Sequence, residues 1–418
     1  MNTSTAAGSA LGQESAPPVD ADCICFLMIP GWEAELRSNR WHFARRWARH
    51  LPVVLVQPTL TEWTTDVVLE DEPRIENCQI LRVALPCPDA GPRVGTTATQ
   101  LAQMLAGLRR NGFRRPLLWL YNPCLAELYA ALPAAARVMH CTEAWFEFDD
   151  QTDDFRDQVR LAVQASDLVV AVSSGVEASL RRQVPGARVY TVTNGCDFQA
   201  YAAGRPDAEL AAVGRDFERI AVCAANLDRR VDFRTLTRVA HEHPRALFAL
   251  YGRLGELAAD EAAQREQAFA EPNVRYLGLA EPERLPDIYA AASLGFIPYQ
   301  TSPMLVESGF SLKALEMAAS GLPVVSSRMR PLCGLARALY VASDDDDFVA
   351  AVGRLDRARI SNDERDELIA TARANDYDAK FASVLQLCDR ELGADHALTN
   401  RLDLWAAQFP ESSNLAPW

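Results

Sequence analysis

Apolar and polar positions along this chain switch between two periods, and the switching repeats. Short apolar runs bounded by Pro, Gly, Asn or Asp read as buried strands. Stretches with apolar residues three and four apart read as amphipathic helices. Residues 23–29 form the first such run, closed by Pro30-Gly31-Trp32. The segment 39–51 follows, with Trp41, Ala44, Trp47 and Ala48 spaced for one helical face, and 53–57 is the next strand. The pattern predicts further strands at 79–85, 116–121, 137–142, 167–173 and 189–192, and helices at 97–110, 125–132 and 155–165. Ser174 is placed to cap a helix that runs to Gln183. Beyond the turn Asn194-Gly195-Cys196-Asp197 the logic begins again: strands at 220–224, 246–251 and 274–278, helices at 233–241 and 283–292, and a late helix at 346–355. The tail from Asn362 onward is helical and amphipathic, with Phe381, Leu385, Leu402 and Trp405 as its apolar face. Strand–helix–strand units in series imply parallel sheets covered by helices, an α/β chain of two Rossmann-like, doubly wound domains. A length of 418 residues agrees with two cores rather than one.

The most informative segment is 296–327. A strand at 294–298 opens into a polar loop and then a helix with Leu312, Leu315, Met317 and Ala318 inside. Glu316 lies one turn into that helix, Gly321 suits a left-handed C-cap, Pro323 stops the helix, and Val324-Val325 begins the next strand. A helix N-terminus in front of a sheet offers free amides and partial positive charge, a place for a diphosphate. A carboxylate one turn deeper is set to accept hydrogen bonds from ribose hydroxyls.

This segment resembles the nucleotide-sugar segment of GT-B glycosyltransferases, in particular glycosyltransferase family four (group 1). There a loop leads into P/S-x-K-x-x-E and then A-x-G-x-P-V-V. The matching residues are Ser311, Lys313, Glu316, Ala319, Gly321, Pro323, Val324 and Val325. The resemblance implies that Glu316 binds ribose and that the amides of Ser311, Leu312 and Lys313 face the diphosphate. The family writes its pair of acids as E-x7-E. Here Ser308 holds the first position, and Glu307, the nearest candidate, comes one residue early.

Other positions follow from the same resemblance. The family places a G-R-L turn after the first strand of the second domain; Ala225-Asn226 stand there, and Arg229 and Arg230 are the cations left to hold the diphosphate. Gly252, at a strand end, permits close approach of backbone and ligand. Asn194-Gly195-Cys196-Asp197 stands for the N-G-V-D hinge. In a xanthan-type glucuronosyltransferase with a similar sugar-nucleotide segment, an Asp at a strand end of the first domain is the general base. Glu143 occupies that place, with His140 as the alternative base or a packed strand histidine. A loop that lines the acceptor side in these proteins puts Trp32 against a sugar ring and Arg40 against an acidic group; the other reading is a capped helix start with a tryptophan core. The implied plan is a flexible leader at 1–22, an acceptor domain at 23–196, a nucleotide-sugar domain at 197–375, and a helical tail at 376–418 that crosses back onto the first domain. The implied activity is transfer of a sugar from a nucleoside-diphosphate sugar to an acceptor hydroxyl without metal or cofactor. A UDP-sugar is the first choice of donor, with GDP- and dTDP-sugars next; the acceptor is a sugar, a lipid-linked molecule or a small molecule. A GT-B epimerase and a catalytically silent scaffold are the competing readings.

Composition narrows this further. A net charge of −14 argues against nucleic acid as a partner. The ten cysteines show no C-x-x-C or zinc spacing, which points to reduced thiols in a cytoplasmic protein. The leader lacks a basic start and an apolar core, unlike a signal peptide. Two arginine clusters interrupt the acidic background: Arg37, Arg40, Arg45, Arg46 and Arg49, and Arg109, Arg110, Arg114 and Arg115. They read either as weak peripheral contacts with anionic lipid or a diphosphate-linked acceptor, or as solvated faces. The acidic runs at 149–154 and 344–347 read as loop and helix-start charges rather than metal ligands.

Overall fold

A computed structural model describes residues 20–28, 32, 35–58, 69–83, 98–148 and 151–392. The acids Asp149 and Asp150, the tail residues Leu402 and Trp405, and most of the expected leader lie outside the described residues.

The apolar runs of the first half become β1 (Cys23–Leu27), β2 (Val53–Pro58), β3 (Leu69–Asp71), β4 (Cys78–Val83), β5 (Pro116–Leu120), β6 (Ala136–Cys141), β7 (Leu168–Ala171) and β8 (Val189–Thr191). They form one eight-stranded sheet in the order β3-β4-β2-β1-β5-β6-β7-β8. Every pairing is parallel except β3 with β4. The connecting helices are α1 (Asn39–Trp47), α2 (Ala98–Arg110), α3 (Ala126–Ala131), α4 (Asp153–Ala165) and α5 (Ser174–Gln183). In the second half, α6 (Phe198–Ala202) and α7 (Ala208–Val213) lead into β9 (Arg219–Ala224). Then come α8 (Phe233–Glu242), β10 (Ala246–Tyr251), α9 (Ala259–Ala270), β11 (Val274–Tyr276), α10 (Leu285–Ala291) and β12 (Leu294–Ile297). The chain continues through α11 (Pro303–Ser308), α12 (Leu312–Ala319), β13 (Val324–Ser326), β14 (Leu339–Val341), α13 (Asp345–Arg354), α14 (Asn362–Ala374) and α15 (Tyr377–Leu392). The second sheet is parallel and six-stranded, β11-β10-β9-β12-β13-β14.

Several expectations shift for physical reasons. Ser173, not Ser174, caps α5: its Oγ accepts from the Val176 amide at 3.2 Å, and Ser174 is already helical. The short antiparallel β3 escaped the period analysis because three residues carry too little alternation. Helix α9 escaped it because its apolar positions are nearly all alanine, which gives little contrast, and Ala268 is its buried residue. Helix α1 stops at Trp47, and residues to Leu51 close it as a turn. Gly321 takes the left-handed conformation expected of it, φ +64°.

The chain passes between the sheets twice, and the two passages are bonded to each other. The Cys196 amide donates to the Asn375 carbonyl at 3.2 Å, and the Tyr377 amide donates to the Cys196 carbonyl at 2.9 Å. A Cβ at Gly195 would lie 2.5 Å from the Asn375 carbonyl, so only glycine fits there. Lys380 Nζ reaches back to Thr193 Oγ1 at 2.7 Å and Asn375 Oδ1 at 2.6 Å. After this double passage α15 lies on the first domain. Phe381 packs edge-on against Trp47 with ring centroids 5.2 Å apart, and Tyr377 stacks on His42 at 4.0 Å. Tyr377, Phe381, Val384 and Leu392 share a core with β1, β5 and α1.

The first arginine cluster serves this docking. Arg46 pairs with Asp378 at 2.8 Å, Arg49 with the same carboxylate at 3.4 Å, and Arg45 with Asp197 at 3.6 Å. Among the described residues no helix is long and apolar enough to cross a membrane.

Candidate functional site

The loops at the carboxyl ends of the two sheets meet one another. The loop after β1 touches the one after β11 through an Arg37–Glu283 ion pair. The loops after β7 and β8 touch the segment after β12 through Ser173–Ser308 and Asn194–Phe310 hydrogen bonds. In open parallel sheets this edge is where ligands bind, and here two such edges enclose one cleft.

Helix α12 carries candidate groups of the second domain. Ser311 stands at its N-cap and makes no side-chain cap bond, which leaves the first-turn amides without a side-chain partner. Lys313 places its ammonium 6.0 Å from the Tyr299 ring centroid. Burial works against its charge, but Tyr299 and Glu316 outweigh that and hold its pKa above the ordinary value, so it stays cationic. Glu316 is 5% exposed, and burial pushes its carboxyl up to about 7, against the opposing pull of Lys313 and Tyr201. A carboxyl poised there accepts hydrogen bonds once ionised and is held by little except its neighbours.

The turn after β9 supplies the second cation. Arg230 lays its guanidinium on Asp228, with Nε to Oδ1 at 3.0 Å and an Nη to Oδ2 at 2.8 Å. That ion pair holds its pKa above the ordinary value, and Glu143 adds to the effect. The Arg230 carbonyl accepts from the Gln300 amide at 2.7 Å, which ties this turn to the loop leaving β12. Arg229 is exposed beside it.

Glu143 comes from the opposite domain. It follows β6, and its carbonyl accepts from the Cys141 thiol at 3.1 Å and the Trp145 amide at 3.0 Å. Its side chain is solvent-accessible yet walled by protein, as a cleft floor requires. Burial raises its pKa, and Arg230 across the cleft opposes the rise. A carboxyl of the first domain and a cation of the second therefore sense each other between the domains.

Other candidates lie elsewhere. His140 is fully buried among Phe43, Tyr121 and Trp119, with ring centroids at 4.8, 5.1 and 5.7 Å. Neither ring nitrogen has a hydrogen-bond partner among the described residues, and burial pushes its pKa down to about 3. An imidazole sealed in an aromatic core cannot take a proton from an acceptor, so the alternative base is a packing residue. Trp32 is also a core residue. It is fully buried, stacks on Trp41 at 5.8 Å, and donates from Nε1 to Glu72 Oε2 at 2.6 Å. A ring with no open face cannot stack on a sugar. Arg40 keeps its guanidinium on Glu35, 2.7 Å away, where it secures the start of α1. Glu307 is half-exposed and paired with Arg330 at 3.0 Å, while Ser308 is buried at the domain seam. Gly252 is required by the chain itself: at φ +141° a Cβ would lie 1.7 Å from the Ala225 carbonyl. Its close approach is to backbone rather than to a ligand.

Tyr201, Tyr299 and Asp228 belong to the site's surroundings and were not singled out from the sequence, and Asn194 was read there only as part of the hinge turn. Asp228 carried the one available signal, an acid two residues from a candidate phosphate cation.

Residues 207–357 match the family described as Glycosyl transferases group 1. That stretch includes β9 to β14, the whole of the second sheet, and is similar to that family. The chain is 23% identical over 236 residues to a Bacillus subtilis protein described as "Putative teichuronic acid biosynthesis glycosyltransferase TuaH". The match covers 54% of this chain and 57% of that relative's length. Sucrose-phosphate synthase from Thermosynechococcus elongatus superposes with a TM-score of 0.67 at 17% identity, over 88% of this chain and 98% of that one. Anabaena HepE, solved with UDP and glucose, gives 0.63 at 14% identity, over 88% of this chain and 99% of that one. The fold is GT-B.

One expectation follows from His140. Its pKa is about 3 in the folded protein against 6.5 as the ordinary value. The unfolded chain therefore binds the extra proton first as pH falls, and this group's contribution to stability is lost below pH 6.5. The loss amounts to about 1.4 kcal/mol per pH unit for one such group. Urea titrations from pH 7 to pH 4 should show His140→Leu losing less stability on acidification than the wild type. Parallel slopes for the two proteins would show that this histidine does not govern the acid limb.

Proposed function

We propose that this protein is a metal-independent hexosyltransferase that moves a sugar from a nucleoside-diphosphate sugar to an acceptor hydroxyl. The observation that carries the reading is the electrostatic interaction of Glu143 of the first domain with Arg230 of the second, which in turn senses Lys313 beside Glu316. UDP is the first choice of nucleotide, because HepE of the same fold holds UDP and UDP-glucose in its solved complexes.

In this reading the acceptor oxygen bonds to the anomeric carbon as that carbon's bond to the diphosphate oxygen breaks. Charge grows on the leaving diphosphate. The uncapped first turn of α12, Lys313 and Arg230 are placed to stabilise it without a metal ion. Glu316 takes the ribose hydroxyls. Glu143 removes the acceptor proton; the rise in its pKa brings a carboxylate nearer to the range of a useful base. A base on the acceptor side implies inversion at the anomeric carbon. Ser308, standing where the family carries an acid and buried in the seam, favours the same outcome.

Three outcomes test this. Glu316→Ala should weaken UDP binding by about 1–3 kcal/mol in calorimetry, the scale of lost charged hydrogen bonds; unchanged affinity removes Glu316 from the site. With a UDP-sugar and acceptor found by screening, Glu143→Gln should lower turnover by ~10²–10⁴ while UDP affinity stays within about threefold. A product of retained configuration, or near wild-type turnover in that variant, excludes Glu143 as base. Turnover should also survive EDTA; activity lost in the chelator and restored by magnesium or manganese defeats the metal-free account.

A further inference from the structure

The first domain grips one short stretch of the second, and that stretch leads straight into α12. Ser173, fully buried, donates from Oγ to the Ser308 carbonyl at 2.7 Å. Asn194 donates from Nδ2 to the Phe310 carbonyl at 3.0 Å. Its Oδ1 accepts from Asn39 Nδ2 at 2.8 Å, and Asn39 Oδ1 accepts from the Tyr121 hydroxyl at 3.1 Å. A line of hydrogen bonds thus runs from the end of β5, through the start of α1, to the backbone two residues before α12.

The third contact is steric. A Cβ at Gly175 would lie 2.0 Å from the Glu307 carbonyl oxygen and 2.8 Å from Ser308 Cα, both in the other domain. Glu307 and Ser308 end α11, where carbonyls lack helical partners, and they abut the first turn of α5, where amides do. The Ser308 carbonyl is met here by the Ser173 hydroxyl, and only glycine at 175 lets the two helix ends come this close. Residues 307–310 are therefore held at three points by the first domain, and Ser311 and Leu312 follow at once.

We infer that Ser173, Gly175 and Asn194 are positioning residues for the donor site: the first domain sets the entry to α12, and so the direction of its diphosphate-facing amides, only when the cleft is closed. The inference rests on the nucleotide-sugar reading for its consequence, but the grip itself does not. None of the three side chains needs to touch the nucleotide. Donor affinity, assigned to one domain, is then partly a property of the interface between two.

Gly175→Ala is the sharpest probe. The nearest atoms its methyl would meet all belong to the other domain, and alanine suits a helix better than glycine. The variant should therefore keep its own domain intact and wedge the seam apart. Asn194→Ala and Ser173→Ala remove the polar contacts without a wedge. Hydrogen exchange on the full chain should quicken at residues 305–313 in all three variants, with 117–120 and 136–141 unchanged. UDP affinity by calorimetry should fall by about tenfold in each, the scale of one lost hydrogen-bonded contact. Exchange at 305–313 equal to wild type in all three overturns the inference, as does UDP binding at wild-type strength despite faster exchange. If the wild type binds no nucleoside diphosphate, the proposed function fails, and the exchange comparison still decides whether the first domain holds this stretch.

Discussion

Two backbone hydrogen bonds at the double crossing, Cys196 to Asn375 and Tyr377 to Cys196, are the constraint on which the rest of the molecule depends. A chain that passes between domains once leaves them free to swing. Passing twice at one point, with the strands bonded and Gly195 packed under a carbonyl, reduces the freedom to a hinge. The same crossing delivers α15 to the aromatic core around Trp47 and Phe43, so the last helix is a structural part of the first domain. The acids at 197 and 378 meet arginines of α1 on either side of the crossing, which also fixes its direction.

What the hinge brings together is electrostatically unusual. Parallel sheets put their strand ends on one edge, and two such edges facing each other make a cleft whose floor is deep but wet. Glu143 and Arg230 both touch solvent, yet both have titration behaviour set by surrounding protein. Lys313 and Glu316, on one face of α12 three residues apart, temper each other's burial. A site of this kind has two cations near the start of α12, Arg230 held on Asp228 and Lys313 beside Glu316, and a carboxyl in the opposite domain. That arrangement suits a reaction in which negative charge builds up on a leaving group while a proton departs from the other reactant.

The seam at α5 and α11 gives the hinge a reason to stop. The Ser173 hydroxyl caps α5 and also donates to the Ser308 carbonyl at the end of α11, and Gly175 lets the two helix ends close on each other. Ser308 lies in this seam, so a position that could have carried an acid toward the sugar is spent on domain contact.

The linear pattern determined a great deal here. Period and punctuation identified most strands and helices, because a buried parallel strand must be apolar throughout and a helix covering it must repeat every three to four residues. The run from strand to α12 to Gly321 and Pro323 was legible because each step has a local cause, and it placed Lys313 beside Glu316 through helical spacing alone. Burial was decided only by the tertiary structure. Trp32 and His140 have the residue types of a binding site, but whether a ring is open or covered depends on α1, the Glu72 turn and neighbouring strands that no local period reports. Gly252 was recognisable as a glycine in need of close approach, but not that Ala225 was its neighbour. The meeting of Glu143 with Arg230 and the grip of Ser173 and Asn194 on the entry to α12 depend on the angle at which two separately folded sheets close. Sequence specifies each sheet through contacts within it, whereas that angle is the joint product of the crossing, α15 and the seam.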